Sequence, residues 1–410
     1  MELKQFKLIN NIGGWLLFLI ATSVYTLTME STASLWDCGE FIASAYKIQV
    51  VHPPGAPTFL MIGRLFSLLA MGDTELVSVA LNFMSAICSG FAMMFLFWIT
   101  TYLASKILKI AKDAQSIEMG QAITILGAGA VAALAGTFST SVWFSAVEGE
   151  VYSMSLMFTA MVFWAIFKWE SKADEPYGDR WLLFIAFLVG FTIFIHWLNL
   201  LAIPAIVFVY YFKRFPYSRK GVFFAMLVSI GILGFILAGI ITGIIEIAAF
   251  FELMFVNEFG LPFNSGLIFF LLILVGAMAF GLWHTYKNDK AVAHNILLAL
   301  LFILMGYSTV TVTVIRSNSD PNIDMNNPDD VVALATYLKR EQYGSRPFLT
   351  GYYYNDQIVN YKKVGTKYQR GENGYDVVGD KIDYVRRGKS KLFPRIYDPS
   401  HKERYERGLG

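Results

Sequence analysis

Residues 79–105 read VALNFMSAICSGFAMMFLFWITTYLAS, without one charged side chain. About 20 mostly apolar residues are enough for a helix to cross a bilayer. Of the 410 residues in the chain, 56% are hydrophobic and only 16% are charged, and the mean hydropathy is +0.51. Soluble domains carry about 25% charged residues. The sequence therefore excludes a soluble enzyme, and residues 79–105 are predicted to span a membrane.

Other apolar segments lie on both sides of this stretch. They cover residues 10–28, 121–143, 151–168, 181–195, 197–212, 221–246, 266–283 and 294–315. Two of them are short and meet around His196, so they could form a tight hairpin. The stretch 56–71 is also short, carries Arg64 and follows three prolines, which favours a helix on or re-entering the membrane surface over a full span. The prediction is an all-α polytopic membrane protein with about nine transmembrane helices.

The distribution of Lys and Arg predicts the orientation. With the N-terminus in the cytoplasm, the predicted outside loops hold only Lys47 and Arg64. The basic residues on the inside are Lys4, Lys7, Lys106, Lys109, Lys112, Lys168, Lys172, Arg180, Lys213, Arg214, Arg219, Lys220, Lys287 and Lys290. Positive charge is enriched in cytoplasmic loops. The first apolar segment lacks a small-residue cleavage site, so we interpret it as a retained span.

The composition changes after residue 315, which predicts two domains. Residues 1–315 form the membrane domain, and residues 316–410 are polar and form a small, extracytoplasmic α/β segment that we expect to be incomplete. Within it, residues 328–342 resemble a helix with Asp329 and Asp330 in the first turn. A strand is expected from Pro347, and only short charged segments are expected after Gly365.

The first outside loop, residues 29–78, carries the richest set of ionisable groups. Asp37 and Glu40 stand three residues apart and would share one helix face, and His52 heads a proline-stiffened turn. Two carboxylates held together at a membrane surface can have raised pKa values, and one of them could serve as a general base. The alternative is a capping box, in which Asp37 and Glu40 only satisfy the start of a helix.

Further polar residues occur on the same predicted side. Glu148, Glu150 and Tyr152 lie in the second outside loop and at the start of the next span, and His196 and Asn199 lie in the third loop. Acids at a helix start favour the helix dipole, and a histidine at a helix end is often structural, so both readings stay open. Arg316 marks the exit of the last span.

Other classes of site receive no support. The two cysteines, Cys38 and Cys88, match no disulfide framework or zinc spacing and are interpreted as apolar fillers. The net charge of only +2 produces no strong positive electrostatic potential that would attract nucleic acid.

The order of these motifs resembles a known family. Trp36-Asp37-x-Gly39-Glu40-Phe41 followed by His52-Pro53-Pro54-Gly55 resembles the protein O-mannosyltransferases of the GT-C superfamily. It is most similar to a group that is widespread in Bacteroidetes, carries a domain long described as of unknown function and includes a vertebrate O-mannosyltransferase. Glu150-Val-Tyr and His196 with Asn199 resemble later signatures of that group. The likeness covers roughly residues 10–320, but the mannosyltransferases have adjacent acids where two residues intervene here.

The resemblance implies a GT-C-like fold and a chemistry. The donor would be a polyprenyl-phosphate sugar held in membrane lipid, and the acceptor a Ser or Thr hydroxyl of an exported protein. Asp37 would act as the base, with Glu40 as its partner or substitute, and the sugar would be transferred with inversion. Arg64, His196 and Arg316 would be the candidates to contact the departing phosphate. No metal or other cofactor is expected, and the resemblance places the chain in a bacterial inner membrane with its tail in the periplasm.

Three other interpretations remain open. The same superfamily could glycosylate a lipid or a glycan. The chain could be a non-catalytic scaffold that binds membrane-complex partners through its tail. A secondary transporter would predict mirrored halves and charges near mid-membrane, whereas the charges here lie at the outer edge of the spans.

Overall fold

A computed structural model gives the structure of the protein. The chain is mostly helical, with 68% of its residues in helices. The structure describes residues 1–111, 114–344, 347 and 349–409. Lys112 and Phe348, which belong to the predicted inside loop and strand, lie outside these residues. The described residues divide into two compact units, the first with residues 1–244 and 273–329 and the second with residues 245–272 and 330–410.

Helices account for every predicted span. In chain order they are α1 (Leu3–Thr28), α2 (Cys38–Lys47), α3 (Pro57–Ser67), α4 (Val77–Ile107), α5 (Met119–Thr137), α6 (Thr140–Ala146), α7 (Val151–Lys172), α8 (Arg180–Thr192), α9 (Ile203–Arg214), α10 (Arg219–Gly234), α11 (Ile244–Leu253), α12 (Ser265–Lys287), α13 (Ala291–Tyr307), α14 (Thr311–Ser317), α15 (Val331–Leu338) and α16 (Lys402–Leu409). Short 3-10 or π segments join several of them.

Seven helical stretches of the described chain are long and apolar enough to cross a membrane. They are Leu3–Thr28, Thr74–Ile107, Met119–Thr137, Val151–Lys172, Arg219–Glu258, Ser265–Lys287 and Ala291–Ser317. The two predicted spans that meet at His196 form the shorter α8 and α9, the latter preceded by a 3-10 run at Trp197–Ala202. The predicted class, a polytopic helical membrane protein, is confirmed.

Helix α4 forms the centre of the first unit. Its apolar window is 72% buried, against 22% for α1 and α5. Glycines let backbones approach closely, as membrane helices require. A Cβ at Gly90 of α4 would collide with Thr22 of α1, and a Cβ at Gly306 of α13 with the backbone of α8 at Phe191.

The stretch 56–71 forms a short helical segment. It comprises α3 and one 3-10 turn, Leu68–Ala70, and these 14 residues are too few for a full span. Its predicted location at the membrane surface stays a prediction.

The second unit contains the β-structure. Strands β2 (Ile358–Arg370) and β3 (Tyr375–Arg386) form an antiparallel hairpin, and β1 (Thr350–Gly351) pairs with β4 (Lys391–Leu392). The expectation of only short segments after Gly365 is therefore wrong, since Tyr, Val and Ile recur among the charges of both strands and favour extended backbone. Asp330 is the N-cap residue of α15, and its carboxylate accepts hydrogen bonds from the amides of Val332 and Ala333.

Candidate active site

Helix α2 brings the first acid pair together. Asp37 is its N-cap residue and is exposed, and Glu40 lies in its first turn. Ligand atoms of Asp37, Glu40 and His52 all lie within 4.8 Å of one another. Trp36, just before Asp37, is 90% exposed and has a left-handed φ of +64°. Such backbone strain in a non-glycine residue occurs preferentially at functional sites.

The capping-box alternative is not what the structure shows. Within the described residues, the Asp37 side chain makes no capping hydrogen bond. Both oxygens of Glu40 are instead engaged by His52, whose backbone amide donates to Oε1 over 2.7 Å and whose Nδ1 lies 2.7 Å from Oε2. Burial acts to raise the pKa of the Glu40 carboxyl, but these bonds and the imidazole charge outweigh it and lower that pKa below its usual value.

The loop that carries His52 is held on both sides. Val50 donates from its amide to the carbonyl of Ile323 and accepts from the amide of Met325. The Phe41 ring lies 5.7 Å from the His52 ring, and the bond between Pro53 and Pro54 is cis. The backbone bonds of Val50 and the contact with the Phe41 ring fix the position of the loop that directs the imidazole toward Glu40.

The second acid pair joins the same site. Glu148 and Glu150 are each only 6% exposed, and Glu148 lies close to the thiol of Cys38. Burial raises the pKa of that thiol to about 12, and the charges of Glu148, Glu150 and Asp37 act in the same direction. Asp37, Glu148 and Glu150, from two loops, are thus close enough for their charges to interact, and Glu40 lies beside Asp37.

The buried carboxyl of Glu150 has a strongly raised pKa. Burial raises the pKa of its carboxyl to about 7, the charges of Asp37 and Glu148 add to the rise, and nearby backbone amides offset part of it. Its Oε2 has no hydrogen-bond partner among the described residues. A carboxyl with such a pKa changes its protonation close to neutral pH, a property typical of functional sites.

Two residues that the sequence analysis did not select hold the loops together. Asn82 of α4 is fully buried and donates from Nδ2 to the carbonyls of Glu30 and Thr32. A Cβ at Gly149 would lie 2.9 Å from Ile42 of α2. Asn82 could have been recognised from the sequence, because it is an amide within an otherwise apolar span. The contact of Gly149 with Ile42 depends on the tertiary structure alone.

The third loop adds a neutral histidine. The rings of Tyr152 and His196 are 5.3 Å apart. Nδ1 of His196 accepts from the amide of Leu198 over 3.1 Å, so the proton of the neutral ring is on Nε2. Burial lowers the pKa of His196 below its usual value, which leaves Nε2–H as an uncharged donor near neutral pH.

Asn199 is anchored to α7. Its Oδ1 accepts hydrogen bonds from Ser155 and Thr159 over 2.8 and 2.5 Å. Its Nδ2 is buried and has no partner in the described part of the chain. Tyr152, His196 and Asn199 thus gather around the first turns of α7, next to Glu150.

The two arginines lie at the other end of α2. Arg64 donates to the carbonyl of Tyr46 over 2.7 Å, and Arg316 donates to the carbonyls of Ile48 and Lys47 over 2.7 and 3.1 Å. They satisfy the last carbonyls of α2 and complement its dipole. The 10 residues of α2 span about 15 Å, so the structure does not bring these guanidinium groups together with Asp37.

The Asp37–Glu40–His52 group has the composition of a cation site. However, Glu40 and His52 already bond to each other: Oε1 of Glu40 accepts from the His52 amide, and Oε2 bonds to the His52 Nδ1. Of the two carboxylates, Asp37 is the one without a side-chain capping bond among the described residues. This arrangement suits a proton acceptor held beside an ion pair better than a preformed metal cage.

Glu150 predicts a pH-dependent stability. Its pKa in the folded protein lies above the ordinary 4.5, so its stabilising contribution is complete below about pH 4.5 and is lost as the pH rises through 7. We expect Glu150→Gln to gain stability over the natural protein between about pH 5 and pH 8, by up to roughly 3 kcal/mol. Thermal unfolding in detergent measures this difference, with exposed Glu75→Gln as the control. A difference independent of pH would contradict the assignment.

The fold and site together define a polytopic membrane protein with an acidic centre at the ends of its helices. Residues 37–219 match the model of the protein O-mannosyl-transferase TMEM260 N-terminal domain, so this part of the chain is similar to that family. Residues 344–410 match a family of unknown function, DUF8416. The predicted family resemblance is thereby confirmed.

Two relatives carry the same name. Over 147 residues the chain is 32% identical to protein O-mannosyl-transferase tmem260 of Dictyostelium discoideum, covering 36% of this chain and 16% of that protein. Over 182 residues it is 25% identical to protein O-mannosyl-transferase TMEM260 of Mus musculus, covering 44% of this chain and 23% of that protein. The match thus spans less than a quarter of either relative. No solved structure matches the chain.

Proposed function

We propose that this protein is a membrane glycosyltransferase that moves mannose or a similar sugar from a polyprenyl-phosphate donor to Ser or Thr hydroxyls of exported proteins. The observation that carries the proposal is the cluster of Asp37, Glu40 and His52, inside the segment that matches the mannosyltransferase family. The charges of Asp37 and Glu148 also act on the buried carboxyl of Glu150. The names of the relatives supply the reaction class.

Asp37 is the proposed general base. Glu40 has both oxygens occupied by His52, whereas Asp37 is exposed at the start of α2. Asp37 takes the proton of the acceptor hydroxyl as its oxygen attacks the anomeric carbon. The bond from that carbon to the phosphate oxygen breaks, the lipid phosphate leaves with the electron pair, and the configuration inverts. A positioned base contributes roughly 10²–10⁴-fold to such a step.

The donors around α7 are proposed to bind the sugar phosphate. Nε2–H of His196 and Nδ2 of Asn199 are donors at the first turns of α7, and Nδ2 of Asn199 has no partner among the described residues. Arg64 and Arg316 are occupied at the far end of α2, so we place them in support of that helix rather than on the phosphate. Preorganised donors stabilise charge that develops on a leaving group.

The site is proposed to face the outside of the membrane. Lys and Arg concentrate in the loops at the opposite helix ends, as in cytoplasmic loops. The N-terminus then lies in the cytoplasm, and in a bacterial inner membrane the site faces the periplasm. Exported proteins and the lipid-linked donor both reach that face.

A transfer assay tests the proposed function. Membranes with or without the chain are incubated with a polyprenyl-phosphate mannose that carries a radiolabel, and with a Ser/Thr peptide or its Ala counterpart. We expect label on the Ser/Thr peptide only, and only when the chain is present. Label in lipid or glycan would assign another acceptor, and no transfer with this or related donor sugars would contradict the enzyme.

The reaction is expected to need no divalent cation. The lipid phosphate leaves as a phosphate monoester, and two of the three groups that could hold a cation are already paired with each other. We expect EDTA to leave the transfer rate unchanged in the same assay. A loss of transfer that added Mn²⁺ or Mg²⁺ restores would overturn this expectation and make Asp37, Glu40 and His52 the first ligands to test.

A further inference from the structure

A cavity lies in the first unit, remote from the acidic site. Its volume is about 940 Å³, and the start of α1 and the ends of α4 and α7 line it. Helix α7 leaves the acidic site at Glu150 and reaches the cavity between Trp164 and Lys172. At 1.5 Å per residue this separation is about 20–30 Å. The cavity therefore lies at the opposite end of the spanning helices.

The lining of this cavity has two chemical zones. Trp98, Trp164 and Phe167 supply an apolar, aromatic part. The polar part carries five lysines against two carboxylates, and these lysines are Lys7, Lys106, Lys168, Lys172 and Lys213. A water-soluble ligand would leave the aromatic zone without an apolar partner, and a neutral lipid would leave the lysines without an anionic partner.

Only some of these lysines are neutralised by the protein. Lys106 pairs with Glu170, which also accepts from Tyr102, and Lys213 lies 2.5 Å from Asp174. Among the described residues, Lys7 and Lys168 form no ion pair. Nζ of Lys168 lies 5.2 Å from the Trp164 ring, so a lysine without an ion-pair partner among the described residues lies where the two zones meet.

We propose that this cavity binds an anionic phospholipid, with its phosphate at Lys7 and Lys168 and its acyl chains along Trp98 and Trp164. Basic pockets between transmembrane helices bind anionic head groups, and Trp concentrates at the depth of those head groups. The cavity volume lies within the range of about 300–1,000 Å³ that ligand sites occupy. The bound lipid links the ends of α1, α4 and α7.

The site does not depend on the proposed transfer reaction, so its test does not use that reaction. The purified full chain is placed in nanodiscs of phosphatidylcholine with or without phosphatidylglycerol. Its thermal unfolding and the lipids that it retains, by native mass spectrometry, are then measured. A ligand that binds only the folded state raises the apparent stability, so we expect phosphatidylglycerol to raise Tm and to be retained about ten-fold over phosphatidylcholine, an affinity ratio that corresponds to about 1.4 kcal/mol.

Matched variants locate the effect. The double variant Lys7→Gln/Lys168→Gln should lose the preference for phosphatidylglycerol. Lys220→Gln/Lys287→Gln, which removes two exposed lysines outside the cavity, should keep it. Equal loss in both double variants would show a diffuse charge effect and overturn the site. A charge-conserving Lys7→Arg/Lys168→Arg variant that retains the preference would support the site even if the Gln variant unfolds.

Measurements on the unaltered protein keep the proposal testable without any variant. Inorganic phosphate added to phosphatidylcholine nanodiscs should not reproduce the rise in Tm, because it lacks the acyl chains. A full effect of phosphate alone would assign a free-anion site instead of a lipid site. Equal retention of the two lipids would assign an apolar groove without head-group recognition, and either result overturns the proposal.

Discussion

Asp37→Asn is expected to lower the transfer rate by roughly 10²–10⁴-fold, the usual contribution of a positioned base. The amide keeps the size of the carboxylate but cannot take the acceptor proton at neutral pH. Because Asp37 makes no capping hydrogen bond within the described residues, its replacement should leave α2 and the fold intact. The KM for the peptide should therefore change much less than kcat, which separates a catalytic loss from a loss of binding.

The control for this variant is Glu75→Gln. Glu75 is an exposed acid in the same loop, at the start of the short 3-10 turn before α4. It should keep full activity. If Asp37→Asn also retained full transfer at an unchanged Tm, Asp37 would not be the base, and Glu40 would become the leading candidate.

Glu40→Gln is expected to cost both stability and activity. It removes the charge that pairs with the His52 ring and weakens two bonds that tie the His52 loop to α2. Hydrogen bonds to charged groups contribute about 1.5–3 kcal/mol each, and the side chains of Glu40 and His52 are 24% and 28% exposed, so we expect the lower end of that range for the pair. Thermal unfolding and the transfer assay together measure the two effects.

A double-mutant cycle on Glu40 and His52 distinguishes the structural role of this pair from the catalytic role of Asp37. Residues in direct contact show coupling energies of about 0.5–3 kcal/mol. Glu40→Gln and His52→Ala should therefore be less than additive in their effect on stability, while each retains measurable transfer. Additive stability losses would show that the bond between them is not formed in solution. A loss of transfer in Glu40→Gln as deep as in Asp37→Asn, at unchanged Tm, would give Glu40 the role of the base.

Hydropathy predicted much of the fold because each membrane span is a continuous apolar segment that can be recognised in the sequence. Residues 79–105 have no charge to bring into lipid, and they became most of α4. The short segments around His196 likewise predicted the short helices α8 and α9. The hairpin of β2 and β3 was missed, because its lysines and aspartates obscure the alternation of extended residues and no apolar face marks it.

The candidate site was predictable where sequence neighbours also share a face. Asp37 and Glu40 lie on one turn of α2, and His-Pro-Pro supplied their partner. The roles of the arginines were not predictable, because the carbonyls that Arg316 contacts precede it by 268 and 269 residues. The effect of the Asp37 charge on the pKa of Glu150 was also not predictable, because the two residues lie in loops far apart in the sequence.

The most direct test is mass spectrometry of exported proteins from three strains at matched expression. One strain carries the natural gene, one lacks it, and one carries Asp37→Asn. We expect Ser/Thr-linked glycopeptides in the first strain only, which would establish both the reaction and its base. Glycopeptides that persist in all three strains would contradict a role for this protein in protein glycosylation.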